Sequence, residues 1–181
     1  MPPNLQLCPP SLADAETLLA FELAHRAYFE HWINARPADY YHLEAVRAAI
    51  ADAERDRQAD RGYQFLIKRD EAIIGRINLT SVTRPYYNKA TLGYRIGEGH
   101  TGQGVASHAL SELKRIAFGE LGLHRLEAVV RPENVGSVRV LERNGFHQFG
   151  HATRCMQLHG EWFDLLYFEL HAPQAALDTT A

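Results

Sequence analysis

The sequence predicts an α/β protein of the α+β type: a mixed, mostly antiparallel central sheet with helices on both faces. Three observations lead there. Residues 63–97 hold three stretches in which apolar side chains alternate with polar or smaller ones, separated by short turn signals, the pattern of an antiparallel meander. Residues 91–118 read as a strand, a glycine-rich turn and an amphipathic helix, with another strand at 124–131. The strands flanking that helix therefore run parallel through a crossover. Two further strands, at 146–158 and 162–170, close the chain as a hairpin.

Residues 5–8 make a short strand ended by Pro9 and Pro10. Ser11 with Asp14 forms a capping box, and Ala15, Leu18, Leu19 and Leu23 supply the apolar stripe of the helix it starts. The stretch FEHWINARP is aromatic and irregular and stops at Pro37. Leu43, Val46, Ile50 and Ala53 mark a second helix reaching about Ala59, before Arg61-Gly62 ends it. Tyr63, Phe65 and Ile67 alternate along a strand. Arg69-Asp70-Glu71 turns it into residues 72–82, a loop covers 84–88, and 89–97 is the next strand. Beyond Gly104, residues Ala106, Ala109, Leu110, Leu113, Ile116 and Ala117 recur at helical spacing, with His108, Ser111, Glu112, Lys114 and Arg115 towards water. A helix that begins on small residues offers bare N–H groups and the positive end of its dipole to an anion, most often phosphate. Residues 134–144 form a short helix closed by Gly145, and 172–181 a frayed tail of one domain spanning 1–181.

Composition excludes several classes of function. A formal charge of −3 argues against nucleic acid as a partner, which would call for a basic stripe. No apolar run approaches the roughly 20 residues needed to cross a bilayer, so no membrane partner is expected. MPPNLQLCPP lacks the basic and apolar regions of a signal peptide. Cys8 and Cys155 are too few for a disulfide framework, which points to a reducing, cytoplasmic setting. His25 with His31, and His147 with His151, lack a third ligand, so no metal is expected.

Gly97-Glu98-Gly99-His100-Thr101-Gly102 satisfies the dinucleotide pattern G-x-G-x-x-G. It sits mid-chain behind a hairpin, however, with too little sequence after it for a doubly wound sheet. The overlapping run TGQGVAS at 101–107 is stronger because NVGSVRVLERNGF at 134–146 accompanies it. Together with NKATLGYRIGEGHTGQG and HGEWFDLLYFEL, these motifs resemble the GNAT superfamily of acetyl-CoA-dependent N-acetyltransferases, and within it the RimJ/RimL branch that acetylates ribosomal-protein N-termini. The resemblance is clearest over residues 65–170.

The resemblance implies acetyl-CoA as cosubstrate and a pair of parallel strands that splay apart to admit it. It places the pyrophosphate on backbone N–H groups of Gly102, Gln103, Gly104, Val105, Ala106 and Ser107. The pantetheine arm would lie along Tyr94, Arg95 and Ile96, with Asn134 touching it from the other side. A strand N–H near Arg95 or Ile96 would meet the carbonyl oxygen as it gains charge. Ser137 matches the serine that protonates the departing thiolate, and Leu141 stands where other branches carry a tyrosine for this task. Tyr28, Phe29, Trp32 and Tyr40 fall in the region that walls the acceptor pocket.

The departures are informative. Thr101 replaces the usual Gln or Arg at the first motif position. Thr91, Val129 and Met156 occupy the places where members carry a general-base glutamate. Glu127, which shares a strand face with Val129, is the substitute candidate; its plain structural reading is a strand carboxylate beside Arg125. Tyr86, Tyr87 and His100 are further alternatives. The implied acceptor is a primary amine, first the N-terminal α-amine of a protein or peptide and second a small-molecule amine. A non-catalytic acyl-CoA-binding module is the rival reading, and a second copy of the chain is a further candidate partner.

Overall fold

The computed structural model describes residues 5–173. Its strands are β1 (Leu5–Cys8), β2 (Tyr63–Arg69), β3 (Ala72–Thr83), β4 (Lys89–Ile96), β5 (Arg125–Val130), β6 (His147–Leu158) and β7 (Glu161–His171). Its helices are α1 (Ala15–Ala24), α2 (Arg26–Trp32), α3 (Leu43–Gln58), α4 (Val105–Arg115) and α5 (Val135–Arg143). One sheet runs in the order β1-β2-β3-β4-β5-β7-β6. Every neighbouring pair is antiparallel except β4 and β5, which are joined by the α4 crossover and run parallel.

Strand alternation sends side chains to two separate cores. Phe65 and Ile67 of β2 join Leu110 and Leu113 of α4 on one face. Leu66, between them, joins Leu18, Phe21, Val46 and Ile50 from α1 and α3 on the other. Helices therefore cover both faces, as the sequence pattern required. Full burial of a leucine such as Leu110 contributes about 1.5–3 kcal/mol, so the two cores fix the positions of α1 and α4 firmly.

Three local expectations are corrected. The aromatic stretch read as irregular is helical as far as Trp32, because the chain breaks at His25 and restarts as α2 with Phe29 buried. In α1 the buried face is Ala15, Leu18, Phe21 and Glu22, while Leu23 is 49% exposed. Lys114 does not simply face water, since its Nζ donates to the Asn144 carbonyl at 2.9 Å and closes the end of α5. The capping box forms as expected, with Ser11 N–H donating to Asp14 Oδ2 at 2.9 Å. The tail beyond Pro173 lies outside the described residues. Among the described residues, no helix is long and apolar enough to cross a membrane.

The feature that matters most for function is where the parallel pairing stops. β4 and β5 are in register from Lys89↔Arg125 to Leu92↔Ala128 and no further. β4 continues to Ile96 against β3, and β5 continues to Val130 against β7. The two strands thus part beyond Leu92, and among the described residues the backbone groups of β4 on that edge have no partner on β5.

Candidate active site

A cavity of about 380 Å³ opens at this parting. Tyr94, Arg95 and Ile96 of β4 form one wall, the turn into α4 a second, and α5 a third. Tyr28, Phe29, Trp32 and Ile33 close the far end. Tyr40, expected there, instead lies under the Arg36 guanidinium and accepts a hydrogen bond from Arg76.

Glycine shapes the turn into α4. Gly102 and Gly104 have φ of +72° and +78°, a region that L side chains avoid, and a Cβ on either would stand in open space. The backbone ahead of α4 is therefore bare on the cavity side, with the first-turn N–H groups of the helix behind it. Those N–H groups and the helix dipole fit a bound pyrophosphate. Thr101 cannot help, since its hydroxyl donates to Glu98 O at 2.9 Å within the turn. The Gln103 side chain is also occupied: its Nε2 donates to Gly99 O at 2.8 Å and its Oε1 accepts from Arg69. Of the expected cofactor-binding residues, Gly102, Gly104, Val105, Ala106, Ser107 and Asn134 line the cavity, and Gln103 does not.

Across the cavity, Asn134 caps α5, its Oδ1 accepting from the Ser137 N–H at 3.1 Å. Ser137 Oγ lies 2.7 Å from the Tyr94 hydroxyl. Burial pushes that hydroxyl up to about 12, with the Ser137 hydrogen bond acting the other way, so Tyr94 is a neutral phenol at physiological pH. A phenol is the stronger donor of the pair. Either hydroxyl can donate in this pair, and Tyr94 can also donate to the Ser137 carbonyl at 3.3 Å; when Tyr94 donates to Oγ, the Ser137 proton is free to point into the cavity. Asn144 Nδ2 donates to Ser107 Oγ at 2.9 Å and ties α5 to the start of α4, holding the second and third walls together. Leu141 is 1% exposed and belongs to the core.

Glu127 is not part of this assembly. It pairs opposite Thr91, where β4 and β5 are still hydrogen-bonded, and does not line the cavity. Both its oxygens lie 3.1 Å from Lys89 Nζ, and Oε1 is 3.0 Å from Arg125. The expected substitute base is thus a carboxylate held between two cations. Tyr86 and Tyr87 also lie away from the cavity, 92% and 65% exposed. His100 is the sequence-derived alternative that does line it. Its Nδ1 is buried with no hydrogen-bond partner, and burial, followed by the charges of Arg69 and His25, pulls the ring below its ordinary value. That direction favours the uncharged ring.

Comparison with known proteins bears on this geometry. The sequence profile of the acetyltransferase (GNAT) domain matches residues 4–147. The chain belongs to the GNAT family. It is 36% identical over 158 residues to a probable N-acetyltransferase, YjcK, of Bacillus subtilis, covering 86% of this chain and 87% of that one. A relative from Escherichia coli, the [ribosomal protein uS5]-alanine N-acetyltransferase, is 28% identical over 88% of this chain and 84% of its own length. Mycobacterium smegmatis RimJ, solved in complex with CoA-disulfide, superposes with a TM-score of 0.85 at 28% identity, over 94% of this chain and 85% of that one. This GNAT chain is accordingly an acetyl-CoA-dependent acetyltransferase.

Sequence reasoning missed two features of this GNAT site. Arg139 and Arg143 line the cavity on the same face of α5 as Gly136, and their i, i+4 spacing was the available signal. The other feature is Glu22, 1% exposed on α1, which accepts from Arg76 Nη1 at 2.5 Å, Arg95 Nη1 at 3.1 Å and Arg36 Nη2 at 3.4 Å. Burial pushes the Glu22 carboxyl up, but the charges of Arg95, Arg76 and Arg36 more than reverse that, leaving it below its ordinary value. The residues come from α1, β3, β4 and the segment before α3, so no local pattern could have shown them together.

Proposed function

We propose that the chain acetylates the N-terminal α-amine of a protein or peptide by direct transfer, in the cytoplasm. The observation that carries this reading is that no Asp or Glu lines the cavity among the described residues. An amine must lose its proton before it attacks. For an α-amine with a pKa of about 7.7–8.0, that costs about 1 kcal/mol at pH 7, against about 4.6 kcal/mol for a lysine near 10.4. A site without a carboxylate base suits the first and not the second. Neutral His100, or water passing it, is enough to carry such a proton away. The E. coli relative that acts on a ribosomal-protein alanine supports the same acceptor class.

Acetyl-CoA supplies the acetyl group, and this chain's residues position it and manage protons. N–H groups of Gly102 through Ser107 hold the pyrophosphate, with Arg139 and Arg143 adding positive charge nearby. The free edge of β4 at Tyr94–Ile96 pairs with the amide-rich arm as an added strand would. A carbon–nitrogen bond forms and the carbon–sulfur bond breaks. The amine gives up one proton to His100 or water, Ser137 Oγ, hydrogen-bonded to Tyr94, delivers one to the sulfur, and solvent returns a proton to Ser137, so the protons balance.

Matched peptides test the acceptor, one with a free N-terminus and blocked lysines, the other reversed, with products read by mass spectrometry. The rate on the first should rise with pH through a midpoint near pH 8 and level off above about pH 9, tracking the amine. Efficient acetylation of the lysine peptide alone would overturn the proposal, and acetylation only of small amines would move the acceptor class.

A further inference from the structure

Around Glu22 there is more positive charge than one carboxylate can neutralise. Arg36, Arg76 and Arg95 all reach it. Glu30 also packs on this side, but Arg26 Nε already pairs with it at 2.8 Å. Four arginines against two glutamates leave a formal excess of two positive charges. Unbalanced charge in a partly buried place is unfavourable until an opposite charge arrives.

The three arginines are not equally committed. Arg76 is fully used, donating to Glu22, to the Tyr40 hydroxyl at 3.3 Å and to Gln64 Oε1 at 2.7 Å. Arg36 stacks on Tyr40 at 4.2 Å, with its Nε buried and unpartnered. Arg95 is the member that lines the cavity. Among the described residues it donates one hydrogen bond, to Glu22, and its guanidinium stands 5.1 Å over the Phe29 ring at the far end of the cavity. Strand parity sends it to the face opposite Tyr94, away from the Ser137 proton donor and towards α1 and α2. Burial, with Arg36 and Arg76 beside it, pulls the guanidinium below its ordinary value despite Glu22, which fits a group short of counter-charge.

We infer that Arg95, backed by Arg36 and Glu22, is a specificity-determining residue that binds a carboxylate near the acceptor amine, which in a peptide is an Asp or Glu side chain within the first few residues. The inference rests on the N-terminal reading for its substrate class and adds the acceptor's charge. A guanidinium can meet a carboxylate with two parallel N–H···O bonds, which an ammonium cannot.

The test uses peptides with a free N-terminus that differ only at positions two and three, carrying Asp-Glu, Asn-Gln or Arg-Arg. Wild type should prefer the acidic over the neutral peptide by about 10- to 100-fold, mainly through KM, with the basic peptide poorest. Arg95→Gln should collapse that ratio, and Arg95→Lys should restore part of it. Arg95→Gln leaves Glu22 paired with Arg76 and Arg36, so the variant should fold. Equal rates on all three peptides in wild type would overturn the inference and leave the N-terminal reading standing. If no peptide reacts, aspartic acid α-amide is compared with asparagine α-amide, which differ by one charge. A preference for the former that Arg95→Gln abolishes would uphold the inference and sink the N-terminal reading; no preference would sink both.

Discussion

On the α5 side of β4 the site is built on backbone and small polar groups, with Arg139 and Arg143 at its border, whereas on the α1–α3 side it is a cluster of ion-paired charges. The first side has two glycines with positive φ, a capping asparagine and a serine hydrogen-bonded to a half-buried phenol. The second has a carboxylate at 1% exposure among three guanidiniums. Under the proposed function the difference follows from the task. A phosphate-bearing cosubstrate common to many enzymes is served by main-chain donors and a helix end, which tolerate little variation. An acceptor particular to one enzyme is selected by side chains, which can change without disturbing the turn.

The largest effect should come from removing the counter-charge on the second side. Glu22→Gln leaves three arginines without a partner anion and should destabilise the fold by about 3–5 kcal/mol, measured by denaturant unfolding. The folded-state value of Glu22 lies below its ordinary one, so its contribution is present above about pH 4.5 and is lost as pH falls through the lower folded-state value. The variant should therefore lack part of the wild type's acid sensitivity. Gly104→Val tests the first side. Its φ of +78° is strained for valine, and the side chain would occupy the space before the bare N–H groups. At 100 times its dissociation constant, acetyl-CoA should stabilise wild type by about 2.7 kcal/mol and this variant scarcely at all, read as a shift in Tm. Tyr94→Phe should lower kcat by about tenfold while sparing acetyl-CoA affinity, because only the orientation of the Ser137 proton is lost. Glu127→Gln should change kcat/KM by less than about twofold, since Glu127 is engaged with Lys89 and Arg125 and does not line the cavity. A large loss there would mean that the carboxylate reaches the acceptor after all.

The contrast between the two sides also explains what could be read from the residues in order. The glycine turn, Asn134 and Ser137 lie within short runs whose spacing states their geometry, and the strand–helix–strand crossover fixed the parallel pair. Lys114 shows the first limit: helical periodicity placed it towards solvent, but only the fold reveals the Asn144 carbonyl within its reach. Glu127 shows the second, because face parity put it near the right strand without revealing that β4 and β5 separate only beyond Leu92. Glu22 shows the third. A helical glutamate reads as solvated unless its partners are known, and these lie 14, 54 and 73 positions away.

Ser137→Ala, assayed in single turnover with acetyl-CoA affinity measured on the same preparation, tests most directly whether the α5 side supplies the proton. Turnover should fall by about 10²- to 10⁴-fold with affinity nearly unchanged, since the hydroxyl acts only as the sulfur leaves. A fall of less than about threefold would reduce Ser137 to a residue of the α5 first turn and place the acid elsewhere.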